Sequence, residues 1–157
     1  MALSLFRIFS NSINIFYPTL KAQHVDEIVE SAYNDQDCTR LGQDHDLFYL
    51  ILAISSHVAR KSDIGLPFTP SVYFEKAISH LEQTRHSWIG PNQILLLQRT
   101  ILICIYLLLN PSSGDIWRNL GFAIRFYFDL SHRPSEHDGI DEDLMCILTR
   151  TLYCLEW

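Results

Sequence analysis

Seven histidines are the residues of this chain best suited to bind a metal ion or to transfer a proton. They are His24, His45, His57, His80, His86, His132 and His137. Helical metal sites usually place two imidazoles one turn apart on the same face, or use motifs such as H-E-x-x-H and C-x-x-C. The chain contains none of these patterns. The sequence therefore predicts no metal site and no cofactor in this chain.

The motifs of several common enzyme classes are also missing. There is no G-x-S-x-G motif and no phosphate-binding glycine loop, and the chain has only six glycines. Residues 138–143 superficially resemble a calcium loop, but the glycine is out of place and no Glu stands at loop position twelve. These acidic residues are better explained as a helix start, where they complement the helix dipole. We therefore expect no catalytic residues and no enzymatic activity.

Charge and cysteine content limit the partners and the compartment. The chain has 12 Lys and Arg against 18 Asp and Glu, a formal net charge of −6. No block of basic residues could follow a nucleic-acid backbone, so direct DNA contact is not expected. The four cysteines, Cys38, Cys104, Cys146 and Cys154, are widely spaced. Their spacing favours reduced, packed thiols in an intracellular protein over a disulfide framework.

Two apolar segments do not satisfy the requirements of membrane signals. The first ten residues are apolar, but Arg7 interrupts them and no small-residue cleavage site follows. The longest unbroken apolar run, residues 101–109, is much shorter than the ~20 residues that cross a bilayer. We therefore expect no contact with a membrane.

Apolar residues recur with helical spacing along nearly the whole chain, and Pro and Gly separate the helical segments. Predicted helices begin near Val25, near Asp44 or Asp46, at Thr69-Pro70, near Pro91, at Asp115 and near Asp141. The helix over residues 91–109 is apolar on almost all sides and is predicted to be central. The predicted fold is an all-α bundle of about six or seven helices. Residues 1–15 are expected to form an irregular or partly helical leader, and residues 16–157 a helical domain that is incomplete at its C-terminus.

The predicted helices recur at a nearly constant interval. The starts near Asp44 and Pro91 are 47 residues apart, and those near Thr69 and Asp115 are 46 apart. This period is typical of helical repeats, although the residues themselves do not repeat. We expect stacked antiparallel hairpins, with a true solenoid as the weaker alternative.

The segment 115–131 holds most of the residues that we select as structural or regulatory candidates. At ~100° per residue, apolar side chains cover most of its circumference, so Trp117 is expected to pack in the core of an inner helix. A narrow charged wedge contains Arg125 and Asp129 at i, i+4 spacing. The two side chains form either a partly buried ion pair that acts as a structural latch, or a solvated surface pair.

Residues 117–133, WRNLGFAIRFYFDLSHR, resemble a block of the fungal-specific transcription factor domain, the middle homology region of fungal zinc-cluster regulators. The matching residues are Trp117, Gly121, Ala123, Arg125, Asp129, Leu130, His132 and Arg133. Residues 16–20, 73–77 and 93–98 are similar to further blocks of that family, in the same order. Two departures stand out: Tyr127 replaces a usually small residue, and Ser131 shortens the turn before His132.

The resemblance implies a nuclear domain that regulates transcription without itself contacting DNA. In such regulators DNA is bound by a six-cysteine zinc cluster, and this chain lacks it. The implied partners are proteins of the transcription machinery, a second copy of the chain, or a small-molecule effector. The sensitive positions are Trp117, Gly121, Arg125, Asp129 and His132. The alternative function is a helical-repeat interaction scaffold unrelated to transcription, and a helical enzyme is a weaker third.

Overall fold

The computed structural model describes residues 2–34, 44–59, 69–84, 93–132 and 142–156. Within these ranges 91% of the residues are helical and there is no strand, which confirms the predicted all-α fold. Cys38, His86, His137 and most of the calcium-like segment lie outside the described residues.

Seven helices lie in the described ranges, in agreement with the predicted number. Helix α1 is built from Ala2–Ile8, a π-helical stretch Phe9–Ile13, and Asn14–Phe16. It is followed by α2 (Ala22–Asn34), α3 (His45–Ala59), α4 (Pro70–Thr84), α5 (Gln93–Leu109), α6 (Ile116–Ser131) and α7 (Glu142–Glu156). A 3-10 turn, Pro111–Ser113, joins α5 to α6. None of the described helices is both long and apolar enough to cross a bilayer.

The predicted starts of α4 and α6 are both confirmed by the structure. Helix α4 begins at Pro70, where proline has no need to donate a backbone hydrogen bond. Helix α6 begins after Asp115, whose carboxylate accepts the Arg118 N–H at 3.2 Å. This bond satisfies one of the free N–H groups at the helix start.

Helix α5 forms the centre of the bundle, as its apolar composition predicts. Leu97, Ile101 and Leu102 are fully buried in its middle, and Tyr106 is buried near its end. Helices α3, α6 and α7 all pack against α5, and α4 packs against α3. The sequential pairs α3–α4 and α5–α6 are in extensive contact. The antiparallel stacking of these pairs stays a prediction.

The leader contributes directly to the core. Residues 2–16 are helical throughout, and Leu5, Phe6 and Phe9 are at most 3% exposed. They meet α3, for example through the rings of Phe6 and Phe48, whose centroids are 5.5 Å apart. Because these side chains fill the same core as α3, this segment belongs structurally to the bundle.

The turn between α1 and α2 is held in place by polar contacts from two other helices. Asn14 Nδ2 donates to the Leu20 carbonyl at 2.8 Å, and its side-chain oxygen accepts the Thr19 N–H at 2.9 Å. Gln98 of α5 donates to the Thr19 carbonyl at 2.9 Å. Thr151 of α7 donates to the Pro18 carbonyl at 2.5 Å. These bonds satisfy buried backbone groups that would otherwise lose their hydration.

The prediction of packed thiols is correct for only one of the described cysteines. Cys104 is buried in α5, and burial raises the pKa of its thiol to about 12. Cys146 and Cys154 are exposed on α7, so their predicted packing was wrong. They lie on the side of α7 opposite Leu148 and Leu152, whose buried side chains face the bundle.

Candidate interaction surface

Helix α6 lies on the surface of the bundle, not inside it. Only Leu120, Ala123 and Leu130 are buried along its length, and these residues face inward where α6 packs on α5. At ~100° per residue they occupy one side of the helix. The opposite side is open to solvent, so the prediction of an inner helix was wrong.

Large aromatic side chains lie on this open side. Trp117 is 71% exposed, Phe128 is 54% exposed and Phe122 is 53% exposed, so the prediction that Trp117 packs in the core was wrong. Apolar residues on nearly every side of α6 leave the buried face undetermined by periodicity alone. The contact with α5 buries the narrow face of Leu120 and Ala123, whereas Trp117, Phe122 and Phe128 remain exposed.

The five candidate residues share this open side. Trp117, Gly121, Arg125 and Asp129 follow one another at four-residue intervals, and His132 lies just beyond the helix end. At a rotation of about 100° per residue, the five positions fall within an arc of about 120° around the helix axis. All are exposed except Gly121, which is half-buried. The structure therefore brings the candidates together, as one strip of surface.

Gly121 lies at the middle of the strip and has no steric reason for being a glycine within the chain. A Cβ atom built on it meets no atom within 4 Å. A glycine inside a helix is less stable than alanine by about 1 kcal/mol. The open space over Gly121 forms a notch between the larger side chains of the strip.

The predicted latch between Arg125 and Asp129 is absent. Both side chains are exposed, and no ion pair joins them among the described residues. The interpretation as a partly buried pair was therefore wrong. The wedge that they occupy faces water because the buried face of α6 lies on the other side of the helix.

His132 closes the C-terminal end of α6. Its backbone N–H donates to the Phe128 carbonyl at 3.1 Å, and its ring Nδ1 lies 2.8 Å from the same oxygen. The Ser131 hydroxyl also donates to that carbonyl at 2.9 Å. All three groups converge on the Phe128 carbonyl in the last turn of α6, so His132 has a capping role at this helix end.

A buried ion pair does exist, but it joins α3 to α5. The Arg99 guanidinium donates through Nη2 to Asp46 Oδ1 at 3.0 Å, and its Nε pairs with the other carboxylate oxygen. Asp46 is fully buried and Arg99 is 4% exposed. Burial raises the pKa of Asp46, while the charge of Arg99 and its hydrogen bond partly offset that rise.

This pair could have been suspected from one feature of the sequence. Arg99 is the only charged residue in α5, a helix that is otherwise predicted to be buried. A buried guanidinium requires a carboxylate partner. The identity of that partner, Asp46, depends on contact between residues 53 positions apart, which local spacing does not reveal.

Two histidines form a small polar cluster between α3 and α4. The ring centroids of His45 and His80 are 4.9 Å apart in an edge-to-face arrangement, and Tyr49 packs beside His45 at 5.1 Å. Burial, together with the nearby His80 and Lys76, lowers the pKa of His45. The described part of the chain brings no three His, Cys, Asp or Glu side chains into an arrangement that could hold a metal ion.

An open groove of about 400 Å³ lies between α4 and the end of α5. Its floor is the stacked pair of Phe74 and Tyr106, with ring centroids 4.0 Å apart. Its walls carry Ser71, Glu75, Ile78, Ser79, Glu82 and Ser113.

Comparisons with known proteins identify no family and no function for this chain. No known protein family, no curated protein and no solved structure matches the chain.

Proposed function

We propose that this chain is a regulatory domain of a nuclear transcription factor of the fungal zinc-cluster type, which acts through protein contacts and does not itself contact DNA. The observation that carries the proposal is the exposed aromatic side of α6. The residues of the resembling block, Trp117, Gly121, Arg125, Asp129 and His132, lie along that side or at its end.

The physical character of this surface supports protein binding. Exposed aromatic residues are enriched where proteins associate, because they bury a large area with little loss of side-chain entropy. Trp117 and Phe128 are more than half exposed, and both Arg118 and Arg125 lie beside them. A central aromatic group with flanking arginines is typical of the residues that dominate binding energy.

The net charge of the chain supports the absence of direct DNA contact. At −6, the chain would be repelled by a polyanionic backbone unless basic residues formed a patch.

The groove beside Phe74 and Tyr106 offers space for a small-molecule effector, and its Glu75 and Glu82 favour a cationic one.

A reporter assay tests the proposal. The chain is fused to a heterologous DNA-binding domain, and transcription from the matching promoter is measured in a fungal host. We expect the fusion to change transcription, and Trp117→Ala to reduce that effect by at least half. The matched control is Phe16→Ala, because Phe16 is 70% exposed on α1. A fusion with no effect on transcription, or equal loss in both variants, would contradict the proposal.

The alternative is a helical-repeat interaction scaffold, which the extensive contacts of the sequential pairs α3–α4 and α5–α6 favour. The reading frame that encodes the chain distinguishes the two. An upstream C-x-x-C-x-x-x-x-x-x-C motif is expected for the regulator, and further helix pairs at the same period for the scaffold.

A further inference from the structure

We propose that the contact between His45 and His80 is a pH-sensitive link, which holds α4 against α3 while the imidazole rings are neutral and weakens when both are protonated. We call these two side chains the histidine link. The inference does not depend on the transcriptional role, because neither residue belongs to α6 or lines the groove.

The histidine link joins the start of α3 to the last turns of α4. His45 is the first residue of α3, and His80 stands four residues before the end of α4. Their ring centroids are 4.9 Å apart, with an angle of 81° between the ring planes. In this arrangement the positive edge of one ring meets the negative face of the other, which is favourable for two neutral rings. A single cation beside a neutral ring is tolerated, but two cations at this distance repel each other.

The surroundings of the His45 ring favour its neutral form. Its Nε2 atom is buried and forms no hydrogen bond in the described part of the chain. A protonated imidazole carries a proton on both nitrogens, and each of them needs an acceptor. At Nε2 the charged ring would have neither water nor an acceptor, so protonation of His45 carries a cost in the folded chain.

The positive groups of α4 oppose protonation of His45 as well. The Lys76 ammonium, one turn before His80, lies 5.4 Å from the centroid of the Tyr49 ring, which in turn packs beside His45. Burial, His80 and Lys76 together lower the pKa of His45. The link therefore resists the uptake of protons through both its packing and its charges.

The carboxylates next to His45 in sequence are engaged by cations of other helices. Asp46 is paired with Arg99 of α5, and an oxygen of Asp44 lies 3.6 Å from Nε2 of His24 in α2. Protonation of His24 would strengthen its contact with Asp44, so that pair acts against the link as the pH falls. A variant at position 45 separates the two effects, because it leaves His24 unchanged.

The other charged or titratable groups of the helices packed around the link do not act by charge on His45. On α4, Tyr73 stays neutral near pH 7 because burial raises the pKa of its hydroxyl. The remaining groups are the exposed Arg7 of α1, His57 three turns further along α3, and the groove residues Glu75 and Glu82 of α4.

The stability that the link confers should fall as the pH falls. The unfolded chain protonates His45 near the ordinary value of 6.5, and the folded chain does so only at lower pH. Below pH 6.5 the unfolded state therefore binds more protons than the folded state. The contribution of the link is complete above that pH, and it is lost as the pH falls through the folded pKa.

Helix α4 is the element that should respond first. It packs extensively on α3, and it meets α5 through the stacked rings of Phe74 and Tyr106, which form the floor of the groove. Helix α5 also packs on α3, α6 and α7, so it does not depend on α4 for its position. Loss of the link should therefore loosen α4 and the wall of the groove while the central helix stays folded.

Thermal unfolding of the full chain at about pH 7.5 and about pH 5.5 tests the inference. His45→Phe keeps a ring at the contact but takes up no proton. Its midpoint should fall between the two pH values by at least about 2 °C less than that of the wild type. The matched control is Arg125→Gln, an exposed substitution on α6 that should leave the pH dependence of the wild type unchanged. Equal falls in the wild type and His45→Phe would overturn the inference.

Nuclear magnetic resonance of the ring protons gives a test that does not require His45→Phe to fold. In the wild type His45 should titrate below its ordinary value of 6.5, and in Lys76→Gln it should titrate at a higher pH than in the wild type. Lys76 is exposed, so this substitution is compatible with the fold. Titration of the wild-type His45 at or above pH 6.5 would overturn the inference.

Hydrogen exchange followed by mass spectrometry locates the response, once the rates are corrected for the intrinsic effect of pH. In the wild type, peptides from α4 should lose protection at about pH 5.5 while peptides from α5 keep it. The loss should be smaller in His45→Phe. Protection of α4 that does not change with pH, or that falls together with that of α5, would show that the histidine link does not hold α4 in place.

Discussion

Replacing Arg99 with methionine should destabilise the bundle strongly, because it leaves the Asp46 carboxylate buried without its partner. Asp46 is fully buried, and apart from Arg99 it accepts one hydrogen bond from the Leu47 N–H at 2.9 Å. Removing one member of a buried ion pair typically costs about 3–5 kcal/mol. For a chain of this size each kcal/mol lowers the thermal midpoint by about 2–4 °C, so a fall of about 6–20 °C is expected at neutral pH.

The loss should depend on pH in a definite direction. Burial already raises the pKa of Asp46 above the ordinary value of 3.8, and Arg99 holds it down. Without Arg99 the pKa rises further. Between the unfolded and folded pKa values the folded state binds the proton and the unfolded state does not, so stability falls as pH rises. The deficit of Arg99→Met should therefore be largest near neutral pH and smaller near pH ~4–5.

Thermal unfolding followed by circular dichroism at both pH values measures this effect. The matched control is Arg125→Met, which removes an exposed guanidinium and should shift the midpoint by no more than about 2 °C. The double variant Asp46→Leu, Arg99→Met should regain part of the stability, because no buried charge is left unpaired. A fall under about 2 °C for Arg99→Met, or an equal deficit at both pH values, would refute the reasoning.

Three further predictions concern helix propensity, thiol access and core packing. Gly121→Ala should raise the thermal midpoint of the dilute chain by about 2–4 °C, because a helix gains from alanine and the site has room for it; a lower midpoint would mean that Gly121 is packed closely. Cys146 and Cys154 should react with iodoacetamide in the folded chain, whereas Cys104 should react only in denaturant; mass spectrometry of the peptides checks this, and rapid labelling of Cys104 would contradict the buried position. Leu102→Ala should cost about 2–5 kcal/mol in urea unfolding, since Leu102 is fully buried at the centre of α5, and a loss below about 1 kcal/mol would contradict its central place.

The positions of most helices follow from local chemistry and were therefore predictable. The start of α4 at Pro70 and the cap of α6 at Asp115 depend on residues within one turn of each helix end. The burial of α5 follows from its composition, which contains a single charged residue. Such features are determined by residues that are close in sequence, so the amino-acid sequence of one chain is enough to predict them.

The orientation of α6 was not predictable, because its sequence permits more than one buried face. Trp117 and Leu120 are both apolar, and only the presence of α5 determines that Leu120 is buried and Trp117 exposed. The same limit applies to the ion pair. The i, i+4 spacing favours Arg125 with Asp129, whereas the buried pair joins Asp46 and Arg99 across the fold.

The central claim is that the aromatic side of α6 is open in the single chain and is used for binding. Trp117 reports on this directly when Trp88 and Trp157 are replaced by phenylalanine, so that it is the only tryptophan. Acrylamide quenching of its fluorescence should be strong in the folded chain, because the Trp117 side chain is 71% exposed. Strong protection of Trp117 from the quencher would place it in the core and contradict the account.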